Sequence, residues 1–189
     1  MYDFPQETKL HEWVILRERA RTEGRSGDPN IDNFRYCNVR REDDRVTRYV
    51  YNWLAPHTEH PLFVPNVLMA RLFNNPPTLE RIGFMDRWFP DHIKDTIGEM
   101  RIDDERIFNP AYIVSTNGRN MDKTNYVIEH VLDDAFTQFS RLMKPSALRR
   151  LWEELQTLNG VGSFIAAQVV ADCKMFLPWS QAPDYWEFV

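Results

Sequence analysis

Leu151-Trp152-Glu153-Glu154-Leu155-Gln156-Thr157-Leu158-Asn159-Gly160-Val161-Gly162-Ser163-Phe164-Ile165-Ala166-Ala167 is the stretch that decides how this chain reads. Leu151, Leu155 and Leu158 recur at helical spacing. A Gly-Val-Gly turn follows at once, and then a helix rich in small residues begins. Glycine reaches the positive φ values that a tight turn needs. Val161 is placed to point into the core, and Ala166 and Ala167 let two helices approach closely. Gly162 at the second helix's start leaves backbone N–H groups bare at the positive end of its dipole, where a phosphate can sit.

Working outward, the same periodicity recurs almost everywhere. Residues 8–25 read as a helix with Leu10, Trp13, Val14 and Arg17 at helical spacing, ended by Gly24 and Ser26-Gly27-Asp28-Pro29. Further helices are expected over Asn30–Cys37, from Arg41 to a stop at Pro56, and from His60 to Phe73. Others are expected after Pro77, over Pro90–Met100, over Lys123–Arg141, over Ala147–Leu158 with Ser146 as cap, and over Ser163–Phe176. Ala111–Ser115 reads either as a short β segment or as the buried edge of a loop before the Asn117-Gly118 turn. The expected fold is all-α, with residues 1–189 forming one domain or two closely packed helical lobes.

Composition narrows the class. The 189 residues are 43% hydrophobic and 27% charged, as in ordinary globular proteins, and only seven are glycine, against a low-complexity chain. No apolar run approaches the roughly 18 residues of a membrane span. The opening MYDFPQETKL carries no basic-then-apolar signal segment, so a reducing cytoplasm is expected. Two cysteines, Cys37 and Cys173, cannot make a disulfide framework or a four-cysteine metal site. The net charge of −5 excludes a generic polycation but not a local nucleic-acid site.

The Gly160-Val161-Gly162 turn has two readings. One is an ordinary αα-hairpin with a glycine link. The other is a helix-hairpin-helix element that grips a DNA strand through its phosphates and reads no sequence. Leu158-Asn159-Gly160-Val161-Gly162 resembles the Leu-Pro-Gly-Val-Gly hairpin of helix-hairpin-helix DNA glycosylases, which flip a base from the duplex. Those enzymes carry an essential aspartate about twenty positions beyond the second glycine. Here Asp184 stands 22 positions beyond Gly162, past a helix break at Pro178, whereas Asp172 lies within the hairpin helix and is expected to face solvent or to cap. Where glycosylases that also cut the backbone place a lysine, this chain has Phe164, so lyase chemistry is not expected.

Three further segments narrow the resemblance: Phe34–Thr47, Arg106–Val114 and Asp184–Val189. They are similar to a glycosylase-like phage group, the α-glutamyl/putrescinyl thymine pyrophosphorylases (amino acid:DNA transferases), and to the related helical domain that accompanies 5-hydroxymethyluracil DNA kinases. The likeness runs from about residue 10 to the last residue. It implies DNA hypermodification in a phage-infected cell, in which an amine replaces pyrophosphate on 5-pyrophosphoryloxymethyl-uracil. Asp184 would then act as general base or stabilise cationic charge at the base methylene. In that group the chain continues past the Asp-Tyr-Trp-Glu-Phe-Val match into further basic helices. The stop at Val189 therefore implies a fragment, a separate polypeptide that completes the site, or a chain inactive alone.

The remaining polar residues each carry two readings. Arg35, Arg40, Arg41, Arg45 and Arg48 fall within fourteen residues, with Arg41, Arg45 and Arg48 at i, i+4 and i+7. They form either a solvated face paired with Glu42, Asp43 and Asp44, or a grip on DNA phosphate or pyrophosphate. DNA contacts are expected from Gly160, Val161, Gly162, Ser163, Arg41, Arg45 and Arg48. Substrate contacts are expected from Asn38, Arg41, Asp44, Tyr112 and Trp186, although Asn38 could equally satisfy buried backbone and Tyr112 could equally pack in the core. Trp179, Tyr185 and Trp186 read either as an aromatic collar that raises the pKa of Asp184 or as core. His57-Thr58-Glu59-His60 lacks a third ligand, so no metal is expected, and no cofactor is visible.

Three functions remain: the base-modifying transferase, a monofunctional DNA glycosylase, and a non-catalytic DNA-binding module partnering a DNA kinase. DNA is the expected partner in each, with an amine substrate only in the first. A kinase activity of its own is not expected, since no Gly-x-x-x-x-Gly-Lys-Ser/Thr loop is present.

Overall fold

A computed structural model describes residues 5–34, 38, 40–110, 114–138 and 147–187. All regular structure among them is helical. They fall into two compact units, Met1–Thr47 and Arg48–Val189.

In the first unit, α1 (Pro5–Glu23) is followed by a tight turn and the short α2 (Pro29–Asp32). The Asp32 carboxylate closes this turn, accepting from the Ser26 N–H at 2.6 Å, the Ser26 hydroxyl at 2.8 Å and the Gly27 N–H at 3.1 Å. These donors hold Asp32 below the usual carboxylate range. The second helix stops at Asn33 rather than running to Cys37. Leu10, Val14 and Ile15 of α1 are exposed, so helical spacing did not make this face a core. A single 3₁₀ turn, Arg41–Asp43, precedes α3 (Arg45–Leu54).

The second unit is built around α4 (Phe63–Phe73), every residue of which is buried. Such a helix is apolar on all sides because it is surrounded. Its two polar interruptions are both satisfied. Asn66 donates to the Leu62 and Met85 carbonyls and accepts the Met85 N–H at 2.9 Å. Arg71 meets Asp172, as described below. Asn74 ends the helix in the left-handed conformation, its N–H bonded to Ala70 O. Then come α5 (Pro76–Ile82) and α6 (Pro90–Ile102), each opened by proline.

A continuous helix, α7, joins Lys123–Tyr126, the π-helical Val127–Leu132 and Asp133–Thr137. Its expected extension to Arg141 lies outside the described residues, as do Ser146 and most of the Ala111–Ser115 segment. The hairpin closes the unit with α8 (Leu148–Gln156) and α9 (Ser163–Cys173). Leu148, Leu151, Leu155 and Leu158 bury one stripe, and Ala166, Val169, Val170 and Cys173 bury the facing one. Each fully buried leucine contributes about 1.5–3 kcal/mol against exposure. No helix among the described residues is long and apolar enough to cross a membrane.

Candidate nucleic-acid interface

The two glycines of the turn have different jobs. Gly160 has φ +75°, a value that L side chains rarely adopt. A Cβ there would also lie 2.6 Å from Tyr126 Oη and 3.0 Å from Val131 Cγ2. Gly160 is thus required by the fold. Gly162 has φ −88° and ψ 175°, ordinary extended backbone, and a Cβ there would meet no described residue within 4 Å. Neither strain nor packing demands a glycine at that position. It is the N-cap of α9, supplies no side-chain cap, and is exposed with Ser163. Val161 between them is buried, as expected.

The start of α9, at the positive end of an eleven-residue helix, thus receives no cap from its own N-cap residue. Phe164, in its first turn, is 62% exposed. Trp152 Nε1 of α8 donates to Ser163 O at 3.2 Å and pins the turn from the side. Asn159 is held in register by its N–H, which donates to Asp134 Oδ2 at 2.9 Å.

Beside the turn lies a cavity of about 550 Å³. Its walls are the Gly160–Gly162 backbone, the apolar side chains of Leu72, Val114, Leu158 and Ile165, and the polar side chains of Ser115, Asn117, Gln156 and Asn159.

The opposite end of the hairpin is closed. Asp184 Oδ1 accepts the Leu148 N–H and Oδ2 accepts the Arg149 N–H, both at 2.8 Å. The carboxylate caps the start of α8 from a remote part of the chain. Desolvation pushes its pKa up, but the Arg149 and Leu148 N–H groups outweigh that and leave it below the usual carboxylate range. Among the described residues the nearby aromatic side chains form no collar. Trp179 is buried, whereas Trp186 is 83% exposed and meets Tyr185 edge-on. Lys174 sits over the Tyr185 ring at 4.2 Å; burial lowers its pKa, while the Asp184 charge opposes that shift.

Asp172 neither faces solvent nor caps. It is fully buried and pairs with the equally buried Arg71 of α4: Nη2 donates to Oδ1 at 2.6 Å and Nε donates to Oδ2. Arg71 also donates to Asn74 Oδ1 at 3.2 Å. Sequence reasoning missed this pair. The signal was a lone arginine and a lone aspartate, each inside an apolar helix, where an unpaired charge is prohibitive. Next to it, burial and the Asp172 charge push the Cys173 thiol well up, away from the reactive thiolate.

The arginine segment is reorganised relative to expectation. Arg41 lies in the separate 3₁₀ turn, not on the face of α3. Arg45 and Arg48 are exposed on α3. Arg40 pairs with Glu18 at 2.9 Å. Asp44 accepts the Thr47 N–H at 2.7 Å, which makes it a cap for α3. Asn38 is exposed, while Arg35 and Tyr112 lie outside the described residues. His57 stacks on Phe84 and His60 meets the same ring edge-on, with its Nδ1 accepting the Leu62 N–H at 3.1 Å. Among the described residues no group of three or more potential ligands could hold a metal ion.

No curated protein and no solved structure matches the chain. A family model described as "5-hmdU DNA kinase, helical domain" matches residues 12–186, nearly its whole length. A chain matched over nearly its whole length, with only helices as regular structure among the described residues, belongs to the family of 5-hmdU DNA kinase helical domains.

Proposed function

We propose that this chain is a DNA-binding helical module that presents DNA containing 5-hydroxymethyldeoxyuridine to a kinase activity. The observation that carries the reading is Gly162: a glycine with ordinary φ, with no described residue within 4 Å of a Cβ there, as the N-cap of a helix to which it offers no side chain. A strand's phosphate can approach that backbone without meeting a side chain. Arg48, exposed on α3 in the same unit, is a proposed further phosphate contact. The family match supplies the DNA-modification context.

Base-modifying chemistry by the chain itself is not part of this reading. A general base at Asp184 would have to release two backbone donors, and those donors make it a weaker base. Asp184 is assigned to holding the hairpin.

Fluorescence anisotropy on duplex DNA tests the proposal. Affinity should fall steeply with salt, with a slope reflecting about 3–6 phosphate contacts. Gly162→Asp should weaken binding to every sequence alike, and Gly162→Ala should weaken it less. Salt-independent binding, or an unaffected Gly162→Asp, overturns the reading.

A further inference from the structure

The chain holds two Asn-Gly pairs, Asn117-Gly118 and Asn159-Gly160, and both asparagines line the cavity beside the hairpin. An asparagine followed by glycine can react with its own backbone. The glycine nitrogen loses its proton and attacks the asparagine Cγ. A C–N bond forms, the bond from Cγ to the amide nitrogen breaks, and the proton leaves with that nitrogen as ammonia. The resulting succinimide adds water at one of its two carbonyl carbons and opens to aspartate or isoaspartate. Water is the one co-reactant, nothing is oxidised or reduced, and a neutral amide becomes a carboxylate. Glycine favours the attack because no side chain stands beside its nitrogen and its backbone turns freely.

Both pairs occupy the centre of a β-turn. The Arg119 N–H closes one on Thr116 O at 3.1 Å, and the Val161 N–H closes the other on Leu158 O at 3.2 Å. Among the described residues neither the Gly118 N–H nor the Gly160 N–H has an acceptor, so both nitrogens are available as nucleophiles. The difference lies in what has to move. Ring closure requires rotation about the asparagine Cα–C bond, which swings the glycine peptide onto the side chain. Asn117 and Gly118 are exposed, and a Cβ on Gly118 would meet no described residue within 4 Å. The bonds that hold this turn are local: the Asn117 N–H donates to Ser115 Oγ at 3.0 Å, and the Thr116 hydroxyl donates to Arg119 O at 2.9 Å. At the second pair the Asn159 N–H is tied to Asp134 Oδ2 of α7 at 2.9 Å, and Gly160 abuts Tyr126 Oη and Val131 Cγ2. Leu158 and Val161 on either side are buried. The same rotation there disturbs the contact with α7 and the buried Val161.

We infer that Asn117 is a site of spontaneous deamidation, its carboxylate product standing on the cavity wall across from the Gly160–Gly162 turn, while the fold protects Asn159. Reaction at Asn159 waits on local opening of the hairpin, and an opening cost of about 1.4 kcal/mol already slows it tenfold. One consequence rests on the DNA-binding reading: the new negative charge repels a phosphate at the hairpin. Affinity for DNA then falls as the protein ages, at a rate set by the Thr116–Arg119 turn.

The test keeps the full chain folded in mildly alkaline heavy-oxygen water, with a parallel sample unfolded in concentrated urea, and follows both asparagines by peptide mass spectrometry. Incorporated heavy oxygen separates conversion during incubation from conversion during digestion. In the folded chain Asn117 should convert at least about tenfold faster than Asn159, and in urea the two rates should come within about twofold of each other. Equal rates in the folded chain, or an Asn117 that converts only in urea, overturn the inference. A gap that persists in urea belongs to the sequence and overturns the protection of Asn159 by the fold. Asn117→Asp supplies the aspartate product directly. It should weaken duplex DNA binding about two- to threefold at low salt and less at high salt, the scale of one charge across several ångströms of water, with Asn117→Ser unchanged. Unchanged affinity for Asn117→Asp overturns the consequence for DNA and leaves the modification site standing. A wild type that binds no DNA removes the DNA-binding reading but not the site, because the mass measurements use no DNA.

Discussion

Two helix starts in the same hairpin meet the same electrostatic demand in opposite ways. At α8 the first N–H groups and the positive dipole end are answered from inside the molecule, by the Asp184 carboxylate. At α9 the N-cap is Gly162, with no side chain to answer anything. Glycine at an N-cap forgoes roughly a few tenths of a kcal/mol against serine or aspartate. Serine or aspartate at position 162 would recover it, since a Cβ there meets no described residue within 4 Å. The vacancy is a concession of stability at one end only, and the molecule makes it at the end that borders the amide-lined cavity. The difference separates an end that serves the fold from the end that the proposed DNA-binding reading uses.

The largest expected effect comes from the frame that holds both ends. Asp172 in α9 is tied to Arg71 in α4, and both side chains are out of reach of solvent. Asp172→Asn leaves a buried guanidinium without its counter-charge, which costs about 3–5 kcal/mol. Urea denaturation should show the free energy of unfolding fall by that amount, read as a lower midpoint at unchanged slope. Arg71→Met combined with Asp172→Leu should recover most of it, because the pair's desolvation cost disappears with the charges. If Asp172→Asn is silent, the contrast between the two ends rests on a looser scaffold than this one.

Next in size is Gly160→Ala. Positive φ strains alanine by about 1–2 kcal/mol, and the new Cβ meets Tyr126 Oη at 2.6 Å. A loss of at least about 2 kcal/mol is expected in thermal or chemical unfolding. Tyr126→Phe removes the clashing oxygen and a buried hydroxyl that has no partner among the described residues. Alone it should be neutral or stabilising, and combined with Gly160→Ala it should return part of the loss. Gly162→Ala measured alongside should change stability far less. Equal losses at the two glycines would erase the distinction between a structural glycine and a vacant one.

These contrasts show where the sequence was informative. The hairpin, its buried Val161 and the all-helical class follow from leucine spacing and a glycine-punctuated turn, signals local to a few residues. Which glycine is strained could not be read from Gly-Val-Gly, because it depends on Tyr126 arriving from a helix more than thirty residues earlier. Asp184 was found by spacing, but its partners, Leu148 N–H and Arg149 N–H, are set by tertiary packing. Arg41, Arg45 and Arg48 fit one face only if the helix begins early; the Asp44 cap starts it at Arg45 instead. The Asn117-Gly118 turn was legible as a turn, but its place across a groove from the hairpin was not.

The smallest expected effect, at Asp184, tests the closed end directly. Asp184→Ala removes the acceptor for two N–H groups at the start of α8 and should cost about 1 kcal/mol, within the usual range for a lost cap. Asp184→Asn keeps one acceptor oxygen but turns an N–H₂ toward a backbone donor, so it should recover only part of that loss. The effect must depend on pH with a definite sign. The folded-state pKa lies below the unfolded value, so the carboxylate's contribution is fully present above about pH 4, near the unfolded aspartate value. It is lost as pH falls through the lower folded-state pKa, because the protonated group no longer offers two charged acceptors. Wild type and Asp184→Ala should therefore differ by a constant amount from about pH 5 to 8 and converge below pH 4. DNA affinity at pH 7, which the proposed reading places at the other helix start, should be nearly the same for both. A variant that folds normally but no longer binds DNA would join the two ends into one site, and Asp184 would then have to be placed at the ligand.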